Sequence, residues 1–236
     1  MELMIFLIVI CSITYSFEII FGLAGTIIMV PILGFTFESK TLVIYSLLPQ
    51  MMVAAIALGR SHRKVNVKEW AVMMLPAAIG AIAGSLLFGY IPNEIFKRML
   101  AVIIILSGVY MVLSPSIKVG RKSRSVMDLF AGLSHSLFSI SGPIVMTRLL
   151  ATFEDKTVIR NGSLLFFFSL NIIRSVNYLL GGLITPDIIK MFIVSAPFLF
   201  IVLFFSERLH LKISNNNFKK VVSWVILLSG VIYLFY

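Results

Sequence analysis

Arg174 interrupts the apolar run SLNIIRSVNYLL, and helical spacing places Asn171, Arg174 and Tyr178 on one face. A charged side chain at the centre of a bilayer costs about 2.5 to 3.5 kcal/mol on insertion scales, so such groups are kept for substrate contact, ion passage or pairing. A guanidinium with polar company suits an anion, and Arg174 is the leading candidate for contacting one. The competing role is structural: a partner for an acid such as Glu18, or a side chain that stretches to an interface. Glu18 and His135 come next. They hold matching places, three residues before Phe21 and Phe138, and both titrate, which suits coupling of proton movement to transport; a hydrogen-bonded packing role is the alternative for the histidine. Gln50, loosely matched to Asn171, adds a second polar group at mid-segment, and Arg148 has the reach for either a site or a lipid headgroup.

Two further stretches carry chemistry in the backbone. FGLAGTIIMVPIL (residues 21–33) contains Gly22, Gly25, Thr26 and Pro31, and FSISGPIVMTRLL (residues 138–150) contains Ser139, Ser141, Gly142 and Pro143. Glycine weakens a helix interior and proline removes a rung of its ladder, so a chain that only had to cross lipid would gain nothing from them. Backbone groups freed by a break need protein or a watery cavity around them, which makes a break the mark of a functional interior. Helices starting near Gly25 and Gly142 aim unpaired N–H groups and positive dipole ends at one point, an arrangement for an anion. Small residues also allow close helix packing. Each glycine alone fits that plainer role, whereas the matched pair favours a site. The binding candidates are therefore Gly22, Gly25, Thr26, Gln50, Ser139, Ser141, Gly142, Asn171 and Arg174, with Pro31 and Pro143 as structural breaks.

The elements that must position these groups are membrane helices. Of 236 residues, 59% are hydrophobic and 13% charged, and the mean hydropathy is +1.04, far from the usage of soluble domains. Apolar segments read as 3–34, 41–59, 69–90, 96–113, 126–151, 158–180, 187–206 and 218–236, each close to the roughly 20 residues a spanning helix needs. The net charge of +10 lies mostly in short tracts between segments, where the positive-inside rule accounts for it without nucleic acid. The single cysteine, Cys11, excludes a disulfide framework or a thiolate cluster within one chain. The start, MELMIFLIVI, lacks a basic n-region and reads as a retained segment rather than a signal peptide.

The chain also repeats itself. Besides the two glycine stretches, FESKT matches FEDKT, Pro76 matches Pro197, and FKRMLAVIIILSGVYMVL matches FKKVVSWVILLSGVIYLF, in order and with offsets of 116 to 122 residues. The organisation expected is an all-α polytopic membrane protein of about eight segments. A first repeat (1–114) and a second (126–236) are joined by a basic linker (115–125). The loop RSHRKVNVK is basic and its mate GGLITPD is not, while ERLHLKISNNNFKK is more basic than GYIPNEIFKR. Opposite bias in matched loops points to inverted halves, with segments 1 and 5 broken near mid-membrane so that each half crosses an odd number of times. Eight full crossings in parallel halves are the alternative.

The function expected is a secondary transporter of a small anion, with a passive anion channel as the alternative. No H-E-x-x-H run, G-x-S-x-G elbow or paired intramembrane aspartates support an enzyme. No metal and no cofactor is expected; the partners are the anion, the bilayer and a possible second copy of the chain. These residues resemble the sulfite exporter TauE/SafE family of membrane transporters. The likeness rests on FGLAGTIIMVP and FSISGP, the basic loop and tryptophan of RSHRKVNVKEW, the ladder IGAIAGSLLFG, and the LSGV that closes each half. It implies a multi-pass cell-membrane transporter linked to sulfite, sulfoacetate and other organosulfonates. The family's triple glycine is thinned here to Ala24, Gly25 and Thr26, and Ser139 and Ser141 replace small glycines.

Overall fold

The computed structural model describes residues 2–61, 65–113, 120–212 and 224, and among them every regular element is helical. The eighth apolar segment (218–236), apart from Trp224, and residues 114–119, which include the first part of the basic linker, lie outside the described residues.

Helix α1 (Glu2–Phe21) ends where Gly22 takes φ +78°, and Ala24, at φ +87°, precedes α2 (Gly25–Leu33). A left-handed alanine costs roughly 1–2 kcal/mol, so packing must hold this turn in place. α2 then folds back along α1. Gly25 lies against Tyr15 and Glu18, and further on Cys11 Sγ is 3.6 Å from Met29 Sδ, so rising numbers in one helix meet falling numbers in the other. Pro31, offered by the sequence as a break, sits inside α2; the interruption lies at residues 22–24 instead. Near the end of a nine-residue helix, proline removes one ladder bond without redirecting the chain.

Helices α3 (Ser39–Tyr45) and α4 (Leu47–Ser61) make one 23-residue run through a turn at Ser46. Next come α5 (Val67–Phe88) and α6 (Asn93–Leu113). The second break repeats the first: α7 (Arg121–Phe138) stops at Ser139, φ +58°, and α8 (Gly142–Leu150) starts with Pro143 in its first turn, where the missing N–H costs nothing. α8 also doubles back, with Ser141 against His135 at one end and Arg148 against Asp128 at the other. Then follow α9 (Lys156–Leu180), α10 (Pro186–Ser206) and a 3-10 turn (Glu207–Lys212).

Five helical stretches among the described residues are long and apolar enough to cross a membrane: α1, the α3–α4 run, α5, α9, and α10 extended to His210. They hold 20 to 25 residues, which at about 1.5 Å per residue matches the roughly 30 Å hydrocarbon core. α2 and α8, of nine residues each, do not reach across. Large apolar side chains such as Leu75, Leu86, Ile193 and Phe205 face outward. Together these features make the chain an integral membrane protein.

The α3–α4 run packs antiparallel to α9: Val43 pairs with Arg174, Gln50 with Asn171 and Ser61 with Asn161. α5 and α7 run parallel in close contact, because a Cβ at Gly80 or Gly132 would strike the backbone of the other helix. α1 and α10 are parallel too, joined by Ser16 to Ser206 and by the Ile20 carbonyl to His210.

Candidate functional site

The tips of the two helical hairpins meet inside the molecule. A Cβ placed on Gly142 would lie 2.8 Å from Leu23 Cβ, so glycine is what lets the second tip approach the first. Both short helices begin there. Neither the residue before α2 nor that before α8 caps its helix with a side chain, and the first ladder bonds run from Ile28 N–H to the Ala24 carbonyl and from Val145 N–H to the Ser141 carbonyl. The N–H groups of the first turns thus stand outside the ladders, the set that makes a helix start attractive to an anion.

Between the tips is a cavity of about 10 Å³ lined by Glu18, Ala24, Thr26, Ile27, Gln50, His135, Ser139, Ser141, Gly142 and Phe167. That is room for a single water. Its walls are polar and buried: Glu18, His135 and Ser141 are each 1% exposed.

A hydrogen-bond network fixes how these groups point. Arg174 is fully buried and can only donate; its guanidinium bonds Ser139 Oγ at 2.9 Å, Asn171 Oδ1 at 2.8 Å and the Val43 carbonyl at 3.1 Å. Asn171 Oδ1 is therefore an acceptor, and its Nδ2 donates to Gln50 Oε1 at 3.1 Å. Gln50 Oε1 also accepts from Ser139 at 3.0 Å, which leaves Gln50 Nε2 donating to Thr26 Oγ1 at 3.0 Å. His135 Nε2, 3.2 Å from Asn171 Oδ1, must carry a hydrogen, so Nδ1 of the neutral ring accepts from the Ser141 hydroxyl at 3.0 Å. Phe167 stacks on the imidazole with centroids 5.2 Å apart. Tyr178 lies beside the guanidinium and donates to the Ser136 carbonyl at 2.8 Å.

Two charged groups stay without an opposite charge among the described residues. Among the described residues Arg174 forms no ion pair, and Glu18 Oε1 has no hydrogen-bond partner although it is buried in the cavity wall. A cation held only by neutral acceptors leaves a positive field for an anion to answer.

The structure brings together most of what the sequence singled out. Thr26, Gln50, Ser139, Ser141, Gly142, Glu18 and His135 line the cavity, and Asn171 and Arg174 stand one hydrogen bond behind it. Arg174 thus acts on the cavity through Ser139, as it is not part of the wall. Gly25 abuts Glu18, whereas Gly22 faces away toward Ser163 and Arg160. Arg148 is elsewhere, paired with Glu69 and Asp128. Phe167 and two serines went unnoticed in the sequence. Ser46 bonds Ser139 Oγ at 2.9 Å, and Ser163 bonds the Gly22 carbonyl at 2.8 Å, so each pins one hairpin tip. A signal for the serines was available: Ser46 and Ser163 are separated in the chain by the same number of residues as Gly22 and Ser139.

Comparison with known families returned the model for the sulfite exporter TauE/SafE proteins, aligned over residues 6–233. The chain belongs to the TauE/SafE family. TauE/SafE proteins are membrane transporters, and the alignment takes in both hairpins and the helices that hold them. No curated protein and no solved structure matched this TauE/SafE chain.

Proposed function

We propose that this TauE/SafE protein is a secondary transporter of the cell membrane that moves a small anion, either sulfur-containing, such as sulfite or a sulfonate, or a related organic acid. The anion binds between the hairpin tips. The observation that carries this reading is the convergence of two helix starts, neither capped by the side chain before it, on one buried polar cavity backed by an arginine with no ion pair among the described residues. Thr26, Gln50, Ser139, Ser141 and Gly142 supply the walls, and Arg174 supplies charge through Ser139 and Asn171.

Two halves, residues 1–114 and 126–236, face each other with inverted topology. Support comes from the antiparallel packing of the α3–α4 run against α9, its counterpart in the repeat, and from hairpins that return toward the side they entered. The cavity is far smaller than an oxyanion, so the hairpin tips must part to admit one, as alternating access requires.

The test is uptake by purified protein in liposomes. Labelled sulfite or a sulfonate should accumulate along an imposed proton or anion gradient with saturable kinetics, and Arg174→Ala should abolish it. Unchanged flux in that variant would remove Arg174 from the site, and no flux of any anion by wild type would refute transport.

A further inference from the structure

Glu18 and His135 hold matching places beside the two hairpin tips, yet the structure treats them differently. Both ring nitrogens of His135 are committed, Nε2 to Asn171 Oδ1 and Nδ1 to Ser141, and Arg174 shares the same Asn171 oxygen. A second proton on this ring would reverse the Ser141 hydrogen bond and set a cation beside the Arg174 guanidinium, so the neighbouring charge holds His135 neutral. Glu18 is the opposite case. Its Oε1 has no hydrogen-bond partner among the described residues, it is 1% exposed, and it lines the cavity with the first turn of α2 and with Gln50.

We infer that the cavity takes its anion together with one proton, held between Glu18 Oε1 and an oxygen of the anion. This rests on the reading of the cavity as an anion site. A bare carboxylate facing an anion would repel it and leave both oxygens without a donor. One hydrogen removes both problems: the protonated Glu18 carboxyl donates to an anion oxygen, or an acidic anion donates its own O–H to the Glu18 carboxylate. The proton count is the same in both forms. An anion with no acidic hydrogen therefore binds only when Glu18 has taken a proton from water, and the pair that leaves carries one negative charge fewer than the anion alone.

The other titratable and charged groups around Glu18 do not replace it. Tyr15 on α1 packs beside Gly25 and has Cys11 and Tyr45 as neighbours. α2 and α4 present only Thr26 and Gln50, uncharged at any working pH. His135 on α7 is fully bonded, and Arg174 on α9 stands behind Ser139 and Asn171. Arg160 and His210 cap the carbonyls of Ile19 and Ile20 on the far side of the helix end.

Methanesulfonate is the probe, because it stays ionised at every pH used and so carries no proton of its own. Full-length protein is reconstituted in liposomes with a trapped pH dye, and labelled methanesulfonate uptake is measured against pH and against an imposed membrane potential. The expected result is one proton moved per anion, uptake driven by a pH gradient and indifferent to potential, and an apparent affinity that falls about tenfold per pH unit on the alkaline side. In Glu18→Gln that slope should vanish, whatever flux remains. If wild type moves methanesulfonate without a proton, or if Glu18→Gln keeps the full slope, the inference is overturned while anion transport stands. No movement of methanesulfonate, sulfite or any other anion overturns the transport reading and the inference with it. The proton count in wild type decides the matter even if Glu18→Gln fails to fold.

Discussion

Replacing Arg174 by methionine, which fills similar space without charge, separates the field of the guanidinium from the packing around it. Arg174 Nη1 is 2.9 Å from Ser139 Oγ. An anion oxygen that takes the Ser139 hydrogen in place of Gln50 Oε1, about 2.8 Å beyond Ser139 Oγ, sits at most about 5.7 Å from that nitrogen. At an effective dielectric constant of about 20 the attraction at this distance is about 3 kcal/mol, which corresponds to about a 100-fold change in affinity. The fold itself should suffer little. Removing the arginine strands no opposite charge, since Arg174 has no acidic partner among the described residues, and Asn171 Oδ1 keeps its bond from His135. Binding of labelled sulfite to purified protein, read beside the unfolding temperature, is the assay. The expected outcome is an affinity loss near two orders of magnitude with a small thermal shift. An affinity within about threefold of wild type, less than about 0.7 kcal/mol, would refute the electrostatic reasoning.

Gly25→Ala puts a methyl group onto Glu18 Oε2 and within 2.8 Å of the Tyr15 ring, so it should destabilise by about 1–3 kcal/mol and lower anion affinity as hairpin 1 shifts; thermal unfolding and sulfite binding check it. Arg148→Met leaves Glu69 and Asp128 facing each other without their shared cation, and a loss of about 3–5 kcal/mol is expected in a chemical or thermal melt. A reporter fused after residue 184, between α9 and α10, should appear outside the cell if the halves are inverted; a cytoplasmic location would support parallel halves.

The repeated glycine stretches were legible because a break inside an apolar helix has no cheap structural use, and the structure places both turns within them, at residues 22–24 and 139–141. Pro31 misled because proline reads as a break wherever it stands, although late in a short helix it forfeits only one bond. The face shared by Asn171, Arg174 and Tyr178 followed from helical spacing alone. What Arg174 touches did not, because the Ser139 and Val43 contacts arise from packing between helices far apart in the chain. The same holds for Arg160, which bonds the Ile19 carbonyl, Ser61 and Glu207: near a segment end it passes for an interface residue. The contrast between Glu18 and His135 was likewise invisible, since it lies in their hydrogen bonds and not in their positions: both ring nitrogens of His135 are bonded, and Glu18 Oε1 has no partner among the described residues.

The central claim is that an oxyanion is held between the two helix starts. A structure determined with selenite, the heavier analogue of sulfite, tests it directly through the anomalous signal of selenium. The account predicts a peak between Thr26 and Ser141, with the cavity widened around it and Ser139 still bonded to Arg174. A peak confined to the basic surface loops, with the space between the tips still closed, would contradict it.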